Sequence, residues 1–295
     1  MPEFKSEICG YYKLEIVKSD GSKKIVADFP NLITDWGIAN IYTGWYVYCH
    51  IGDGTTTPTY SDTSLSGYKA SVVAYSGEAG GRKVPFYYYS IILKYKFNIT
   101  GIISEVGIGP IGSNNSLFSR ALILNALGKP TAITVASDEI LYITYEFRSY
   151  PSLADITGII NIGGSYYNWT SRTAYNILAA YYGFEVIQNC PASLNLLWNA
   201  YSGIIGSIDG MPSGDCSPCT NQYTLSNTII EGRYCNDYYI RWGTTKGNFS
   251  GGISAIAGVL VWVPFQIGFS PAIPKTSLNN LTFVLRHSHT RRVII

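Results

Sequence analysis

Histidines and cysteines are the residues of this chain whose spacing could bind a metal ion. The chain has three histidines, and two of them form the sequence His287-Ser-His289. On a strand both imidazoles point to the same face, so three such pairs around the axis of a symmetric trimer could hold one octahedral metal ion. The arginines around the pair (Arg286, Arg291 and Arg292) would repel a cation, which favours a surface strand without metal.

The second metal-type pattern is Cys216-Ser-Pro-Cys219, which has the spacing of half a zinc knuckle. Cys190 or Cys235 could add ligands, but a second closely spaced pair is missing. The alternatives are buried free thiols in a turn or a disulfide formed after release from the cell. The sequence leaves these states of the four cysteines open.

Enzymatic motifs are mostly absent. The sequence has no HExxH, no GxSxG and no Walker A loop. Residues 107–112 match GxGxxG, but Pro110 predicts a strand end and a loop rather than the helix that dinucleotide binding requires. The sequence therefore assigns no catalytic residue, no cofactor and no metal ligand.

Acidic side chains and one further histidine are the remaining candidates for general acid–base chemistry. No spacing places two of the carboxylates across a sugar. Glu105 and Glu146 lie inside β-type runs, where a partnered structural carboxylate is expected. His50 lies in an aromatic strand run and is expected to be packed or at an edge. The candidate carboxylates are Asp35, Asp53, Asp62, Glu105 and Glu146.

Aromatic residues are abundant, with 25 Tyr and 6 Trp. Neighbouring residues of a strand face opposite sides, so each Tyr doublet should place one ring in the core and one outside. Outward rings could stack on sugars or anchor protein interfaces. The tyrosine groups are 87–89, 166–167, 181–182 and 238–239, and the tryptophans are Trp36, Trp45, Trp169, Trp198, Trp242 and Trp262.

Composition limits the class of protein. Over 295 residues the formal net charge is +2, which argues against a nucleic-acid partner. Hydrophobic residues make up 46% of the chain, so a disordered protein is excluded. Only 14% of residues are charged, and we expect partners to cover much of the surface.

Hydrophobic periodicity predicts a mainly β protein of two antiparallel β-sandwich domains, with one short helix in the N-terminal domain. The domains are predicted at 1–156 and 157–295, the second with a Cys-rich insert at 190–235. Residues 13–27 predict a hairpin, and residues 31–42 predict the helix, capped by Asn or Thr. Further strands are predicted at 45–51, 85–97, 101–109, 116–124 and 139–147.

The second half of the chain resembles the end of the first half at two places. Residues 97–104 resemble 249–254, and residues 141–149 resemble 281–288, in the same order and at similar separation. The second domain is therefore interpreted as a possible diverged repeat of the first. Convergent strand patterning is the alternative.

The N-terminus is charged and has no apolar core, so a secretory signal is not expected. The longest apolar stretch, residues 253–265, contains Ser254, Gly258 and Pro264 and is too short to span a bilayer. We expect it to form a buried strand, with no membrane insertion and with synthesis in a cytoplasm.

Several segments resemble a known family in the same order along residues 13–150. Phe29-Pro-Asn-Leu-Ile-Thr-Asp-Trp-Gly-Ile38 is similar to the NLIT-x-x-G opening of tailed-bacteriophage tail and tail-fibre proteins. The further matching segments are 50–55, 63–65, 103–109, 117–123 and 133–139, with faint continuation at 251–253 and 273–275.

The resemblance implies a non-enzymatic structural component of the virion tail, made in the host cytoplasm. We expect symmetric self-assembly as a trimer or hexamer, and other phage tail proteins as partners. A module that binds a host surface glycan is the alternative, and a polysaccharide-cleaving enzyme is the third hypothesis.

Overall fold

β-strands form most of the protein in the computed structural model, which describes residues 1–41, 47–82, 87–110, 115–174, 198–230, 233–260 and 263–292. The mainly β class predicted from the sequence is confirmed. In chain order the elements are β1 (Glu3–Lys18), β2 (Lys23–Pro30), β3 (Leu32–Ile33), α1 (Asp35–Ala39), β4 (Tyr48–Gly52), β5 (Tyr68–Val73), β6 (Ser76–Arg82), β7 (Tyr88–Phe97), β8 (Gly101–Ile103), β9 (Glu105–Gly109), β10 (Ser119–Leu122), β11 (Ile133–Val135), β12 (Glu139–Pro151), β13 (Ile156–Ile162), β14 (Ser165–Thr173), β15 (Asn199–Tyr201), β16 (Cys216–Pro218), β17 (Asn221–Ile230), β18 (Arg233–Trp242), β19 (Ile253–Leu260), β20 (Val263–Ile273) and β21 (Leu281–Arg291).

A large sheet forms the centre of the architecture, in the order β17-β18-β21-β1-β12-β7-β6. On one edge, the long strand β1 pairs antiparallel with β12 over residues 6–18. On its other edge it pairs parallel with β21 over residues 3–8 and antiparallel with β2 over residues 11–17. Strands from both sides of residue 156 therefore share one sheet. The predicted division into domains at that residue stays a prediction.

Two smaller sheets pack against this large sheet and enclose two hydrophobic cores. The sheet β3-β10-β9-β4-β5 covers the first core, to which β1 contributes Tyr12, Leu14 and Ile16. The sheet β13-β14-β20-β19-β15-β16 covers the second core, to which β1 contributes Phe4. These residues are all even-numbered, so they share one face of β1 and both cores lie on the same side of the large sheet.

The two segments interpreted as a repeat occupy corresponding places beside β1. Residues 141–149 belong to β12, which pairs antiparallel with β7, and residues 281–288 belong to β21, which pairs antiparallel with β18. In each half the chain leaves the large sheet, forms strands of a smaller sheet and returns as the next strand. This arrangement is compatible with a repeat and also with convergent patterning, so the interpretation stays open.

The N-terminal hairpin is confirmed, and β1 begins earlier than predicted. Residues 141, 143, 145 and 147 share one buried face, as their alternation predicted. The predicted helix is wrong in its length, because Leu32 and Ile33 pair with β10 instead. The helix begins after a Thr34 cap and ends at Ala39. Tyr42 and Trp45 lie outside the described residues.

Two predicted single strands are each divided in the structure. Residues 101–109 form β8 and β9 in different sheets, because Ser104 turns inward and bonds the carbonyls of Gly52 and Gly54. Residues 253–265 are not one strand but contribute to β19 and β20, which pair with each other antiparallel. Dividing the apolar stretch between two strands still buries its side chains, and it also gives its backbone amides and carbonyls hydrogen-bond partners.

Candidate functional site

Four of the segments that carry the family resemblance, 29–38, 50–55, 103–109 and 117–123, are far apart in the sequence but meet in one small sheet, whereas segment 133–139 contains β11, which pairs with β8. They supply α1 and strands β3, β4, β9 and β10, and β9 lies between β10 and β4. Thr34 accepts a hydrogen bond from the Gly37 amide at 2.9 Å, which caps α1. Its hydroxyl donates to the carbonyl of Leu117, and its amide donates to that of Phe118. The cap therefore ties the helix to the segment that leads into β10.

Glu105, at the start of β9, is a fully buried carboxylate in the middle of this unit. Its Oε1 accepts from the amides of Gly67 at 2.6 Å and Gly54 at 3.2 Å. Its Oε2 accepts from Arg120 Nη2 at 2.7 Å and Nε at 3.0 Å. The Ser66 amide also donates to Oε2, at 3.2 Å. These charge-assisted bonds compensate for the hydration that the carboxylate loses on burial.

Arg120, on β10, connects Glu105 to the loop that carries Asp62. Its side chain is 3% exposed, and Nη1 lies 2.5 Å from Asp62 Oδ2. Nη2 donates to the Thr56 carbonyl and to the Ser66 hydroxyl, both at 3.0 Å. Burial alone would raise the pKa of Asp62, but hydrogen bonds from Thr59 and the charge of Arg120 outweigh it and lower the pKa.

Asp62, Glu105 and Arg120 together form a loop anchor, because they hold the segment from Asp53 to Gly67 against the sheet. The expectation that Glu105 is partnered is confirmed. Sequence reasoning did not identify Arg120 or its pairing. The available signal was one acidic and one basic residue, each inside an otherwise apolar β-type run, since buried charges are seldom left unpaired.

A second feature lies beside the anchored loop, which contributes Tyr60 to it. We call this feature the tyrosine–arginine surface, and it consists of Asp35, Tyr60, Tyr150, Tyr234, Arg291 and Arg292. The Arg291 guanidinium lies 4.2 Å from the ring centroid of Tyr60 and 5.5 Å from that of Tyr234. It also donates to Asp35 at 2.6 Å and to the Ile33 carbonyl at 2.7 Å. Burial opposes ionisation of Asp35, but its hydrogen bonds from Tyr234 and Arg291 lower its pKa.

Arg292 continues this surface onto the outer face of the large sheet. Its guanidinium lies 4.2 Å from the Tyr150 ring centroid and 3.1 Å from a carboxylate oxygen of Glu7. A cleft of about 250 Å³ includes Tyr60 and both arginines, and one of about 340 Å³ includes Tyr150 and Arg292. Stacked rings beside guanidinium groups can bind planar and anionic groups.

His287 and His289 are on one face of β21, with ring centroids 5.5 Å apart. The expected surface strand is wrong, since the two residues are 2% and 1% exposed. They lie where the two cores meet: His287 Nε2 is 2.8 Å from the Ser6 hydroxyl, and His289 Nε2 is 3.2 Å from the Ile38 carbonyl. Burial lowers the pKa of His289 to about 4 and holds that of His287 well below its ordinary value. Such buried rings do not reach a symmetry axis at the surface of this fold.

His50 is packed, as expected, in the small sheet between β9 and β5, and it is 0% exposed. Neither ring nitrogen has a hydrogen-bond partner in the described part of the chain. Burial accordingly lowers the pKa of His50 to about 4. A Cβ at Gly109 would lie 2.8 Å from His50 Nε2, so glycine at that position makes room for the ring.

Cysteines 9, 49, 216, 219 and 235 form no disulfide with one another in the structure. Cys216 is exposed on β16, and Cys219 is half-buried just after that strand. Cys235 is buried on β18, in the large sheet. Among the described residues, no group of three or more Cys, His, Asp or Glu is placed to hold a metal ion. Cys190 lies outside the described residues.

The remaining candidate carboxylates form ion pairs, and the GxGxxG segment begins inside a strand. Asp53 pairs with Lys69 at 2.9 Å and Glu146 pairs with Arg148 at 2.6 Å. Gly107 and Gly109 lie inside β9, so the segment begins as a strand, as predicted. Residues 111 and 112 lie outside the described residues.

Two tyrosine doublets follow the predicted alternation, but the prediction is wrong for residues 87–89, because Tyr88 and Tyr89 are both buried in different clusters. Tyr166 is 71% exposed beside the buried Tyr167, and Tyr238 is buried beside Tyr239, whose ring stacks 4.5 Å from that of the exposed Tyr223. The glycan-binding hypothesis needs tryptophan rings at the surface. Trp198 and Trp242 are instead 1% and 0% exposed and belong to the second core. Trp169 is also buried and Trp36 is half-buried. Tyr181, Tyr182 and Trp262 lie outside the described residues.

Comparison of the chain with protein-family models, with curated proteins and with solved structures finds no match. In the part of the chain that the structure describes, no helix combines the length and the apolar character that crossing a bilayer requires.

Proposed function

We propose that this protein is a non-enzymatic structural component of a tailed-bacteriophage virion. It would form part of the tail, at a collar, a baseplate or a fibre attachment, through symmetric self-assembly with copies of itself and contacts with other tail proteins. The proposal combines the family resemblance of residues 13–150 with the unit that these residues form.

One observation carries the proposal: three of the separated family-like segments, 50–55, 103–109 and 117–123, meet at the loop anchor. There, Glu105 accepts bonds from the amides of Gly54, Ser66 and Gly67, and Arg120 bonds Glu105, Asp62 and Thr56. In these bonds the buried charges hold the chain's own backbone in place. Residues used in this way maintain a rigid shape, which is what a virion building block requires.

Locating the chain in intact particles tests the proposal. Antibody or gold labelling of an epitope-tagged copy, followed by electron microscopy, should place the label at a symmetric position on the tail. The matched control is the same particle carrying the untagged chain. Particles that assemble and infect normally without the chain, or a label confined to the infected cell, would contradict the proposal.

A receptor-binding module for a host surface glycan is the second candidate function, and the tyrosine–arginine surface favours it. Tyr60 and Arg291 offer a ring next to a guanidinium, which suits a sugar that carries a carboxylate or another anionic group. A glycan array probed with the chain and with Arg291→Gln distinguishes the candidates. Binding of acidic saccharides that the substitution abolishes would favour recognition, whereas no binding would leave the structural role.

A further inference from the structure

The strand β13 (Ile156–Ile162) forms one end of the six-stranded sheet. Within the described residues it pairs only with β14, in an unbroken antiparallel register from Ile156↔Ser171 to Ile162↔Ser165. Two glycines, Gly163 and Gly164, make the connecting turn, and both have positive φ (58° and 88°). One edge of β13 is therefore occupied by β14, and the other has no partner strand in this part of the chain.

The hairpin geometry determines which backbone groups point toward that open edge. In a hairpin with a two-residue turn, the residues on either side of the turn form a hydrogen-bonded pair, and bonded and non-bonded pairs then alternate. Ile156, Gly158, Ile160 and Ile162 thus use their amides and carbonyls on β14. The amides and carbonyls of Thr157, Ile159 and Asn161 point outward.

This edge lacks the features by which natural proteins prevent strand addition, namely charged residues, proline, bulges and very short strands. β13 has seven residues, no charge, no proline and no bulge. Terminal strands elsewhere in the molecule have such features: β5 contains Lys69, β6 contains Glu78, β16 has three residues including Pro218, and β17 has a bulge between Thr224 and Ser226.

We propose that the open edge of β13 pairs antiparallel with β13 of a second copy of this chain, centred on Ile159. The sequence Ile-Thr-Gly-Ile-Ile-Asn-Ile is self-complementary about its middle residue. Ile159 would oppose Ile159 of the partner subunit, Thr157 would oppose Asn161 of the partner subunit, and Gly158 would oppose Ile160 of the partner subunit. The Ile159 pair is apolar, the Thr157–Asn161 pair is polar, and Gly158 leaves room for the Ile160 side chain opposite it.

This pairing satisfies both the backbone and the side chains of the edge. The outward amides and carbonyls of Thr157, Ile159 and Asn161 meet the same groups of the second copy, which joins two six-stranded sheets into one. Ile159, 63% exposed in the single chain, is covered by its counterpart. Asp155, which pairs with Arg172 at 2.6 Å, lies just before β13. No charged residue therefore lies within the segment that would pair.

The inference deepens the self-assembly part of the proposed function and rests on it. It names the contact that gives a two-fold axis, which a hexamer built as a trimer of dimers contains and a simple trimer lacks.

Sedimentation velocity of the full chain, from low to high micromolar concentration, tests the pairing. Ile159→Lys places like charges opposite each other across the axis and should weaken dimerisation by about tenfold or more. Ile159→Pro, which removes an amide that points to the open edge rather than one bonded to β14, should act in the same direction. Ile25→Lys is the matched control, because Ile25 is a 56% exposed strand isoleucine far along the chain on β2, and it should leave the association unchanged.

Disulfide cross-linking tests the register of the two β13 strands directly. In a hydrogen-bonded antiparallel pair the two Cα atoms are about 5.5 Å apart, within the range of a disulfide. Ile159→Cys should therefore give a covalent dimer on mild oxidation, beyond the level seen with Ile25→Cys in the same cysteine background. Amide exchange at Thr157, Ile159 and Asn161 should also slow as concentration rises.

Two results would overturn the edge pairing: a chain that stays monomeric at every concentration, or an association that Ile159→Lys does not weaken and Ile159→Cys does not trap. The second result would leave self-assembly through another surface intact. Conversely, a β13 dimer in a chain that is absent from the particle would support the pairing and contradict the proposed function.

Discussion

Replacing Arg120 by methionine is the sharpest test of the loop anchor. The substitution keeps most of the side-chain volume but removes five hydrogen bonds, to Glu105, Asp62, Thr56 and Ser66. Glu105, which is 0% exposed in the fold, loses the positive charge beside it. Removing one partner of a buried ion pair typically lowers the free energy of unfolding by about 3–5 kcal/mol.

Urea unfolding followed by tryptophan fluorescence measures this loss, and limited proteolysis of the segment from Asp53 to Gly67 reports whether the loop detaches. Arg172→Met is the matched control, since the pair it breaks with Asp155 is 29% and 35% exposed and should cost about 1 kcal/mol or less. Adding Glu105→Met to Arg120→Met should recover part of the loss. An Arg120→Met protein as stable as the control, with a protected loop, would refute the reasoning.

Three further predictions concern buried side chains. The free energy of unfolding should fall as the pH drops from about 6.5 toward 4, by up to roughly 3 kcal/mol for each of His50 and His289. Their pKa values are about 4 in the fold, so the unfolded chain binds more protons than the folded chain between pH 4 and 6.5. Denaturation at a series of pH values measures this loss of stability, and a free energy of unfolding that does not change with pH would contradict the prediction. His50→Leu should leave stability at pH 7 unchanged or raise it by about 1 kcal/mol, because two unpartnered ring nitrogens are removed, and it should reduce the pH slope. Trp198→Ala should cost about 3–5 kcal/mol in thermal or urea unfolding, whereas Tyr223→Ala, at a 54% exposed position, should cost under about 1 kcal/mol; equal losses would mean that Trp198 is not a core residue.

Local patterns of the sequence were sufficient for the class of fold and for several elements. The hairpin of β1 and β2 and the buried face of β12 follow from alternation and turn residues, which act over a few positions. Thr34 was one of two caps that the residue types allowed. The helix length was wrong because a tertiary pairing, that of Leu32 with Arg120, competes with helical spacing and is not visible in the local pattern.

The candidate sites were less accessible to sequence reasoning, since they depend on contacts between distant residues. Glu105 was expected to be partnered, but its partners come from residues 54–67 and from Arg120. His287 and His289 were expected at a surface, yet they are buried because β21 inserts between β1 and β18. Neither placement is encoded in the residues on either side.

The sequence by itself determined that this chain is mainly β, with apolar alternating strands and few charges to solvate its surface. Only the tertiary structure decided which strands are neighbours, above all the parallel pairing of residues 3–8 with residues 286–291. The physical reason is that alternation specifies which face of a strand is buried, whereas backbone hydrogen bonds are the same for every residue type and do not identify the partner strand. That choice depends on packing the two cores on one face of a single sheet, a property of the whole chain.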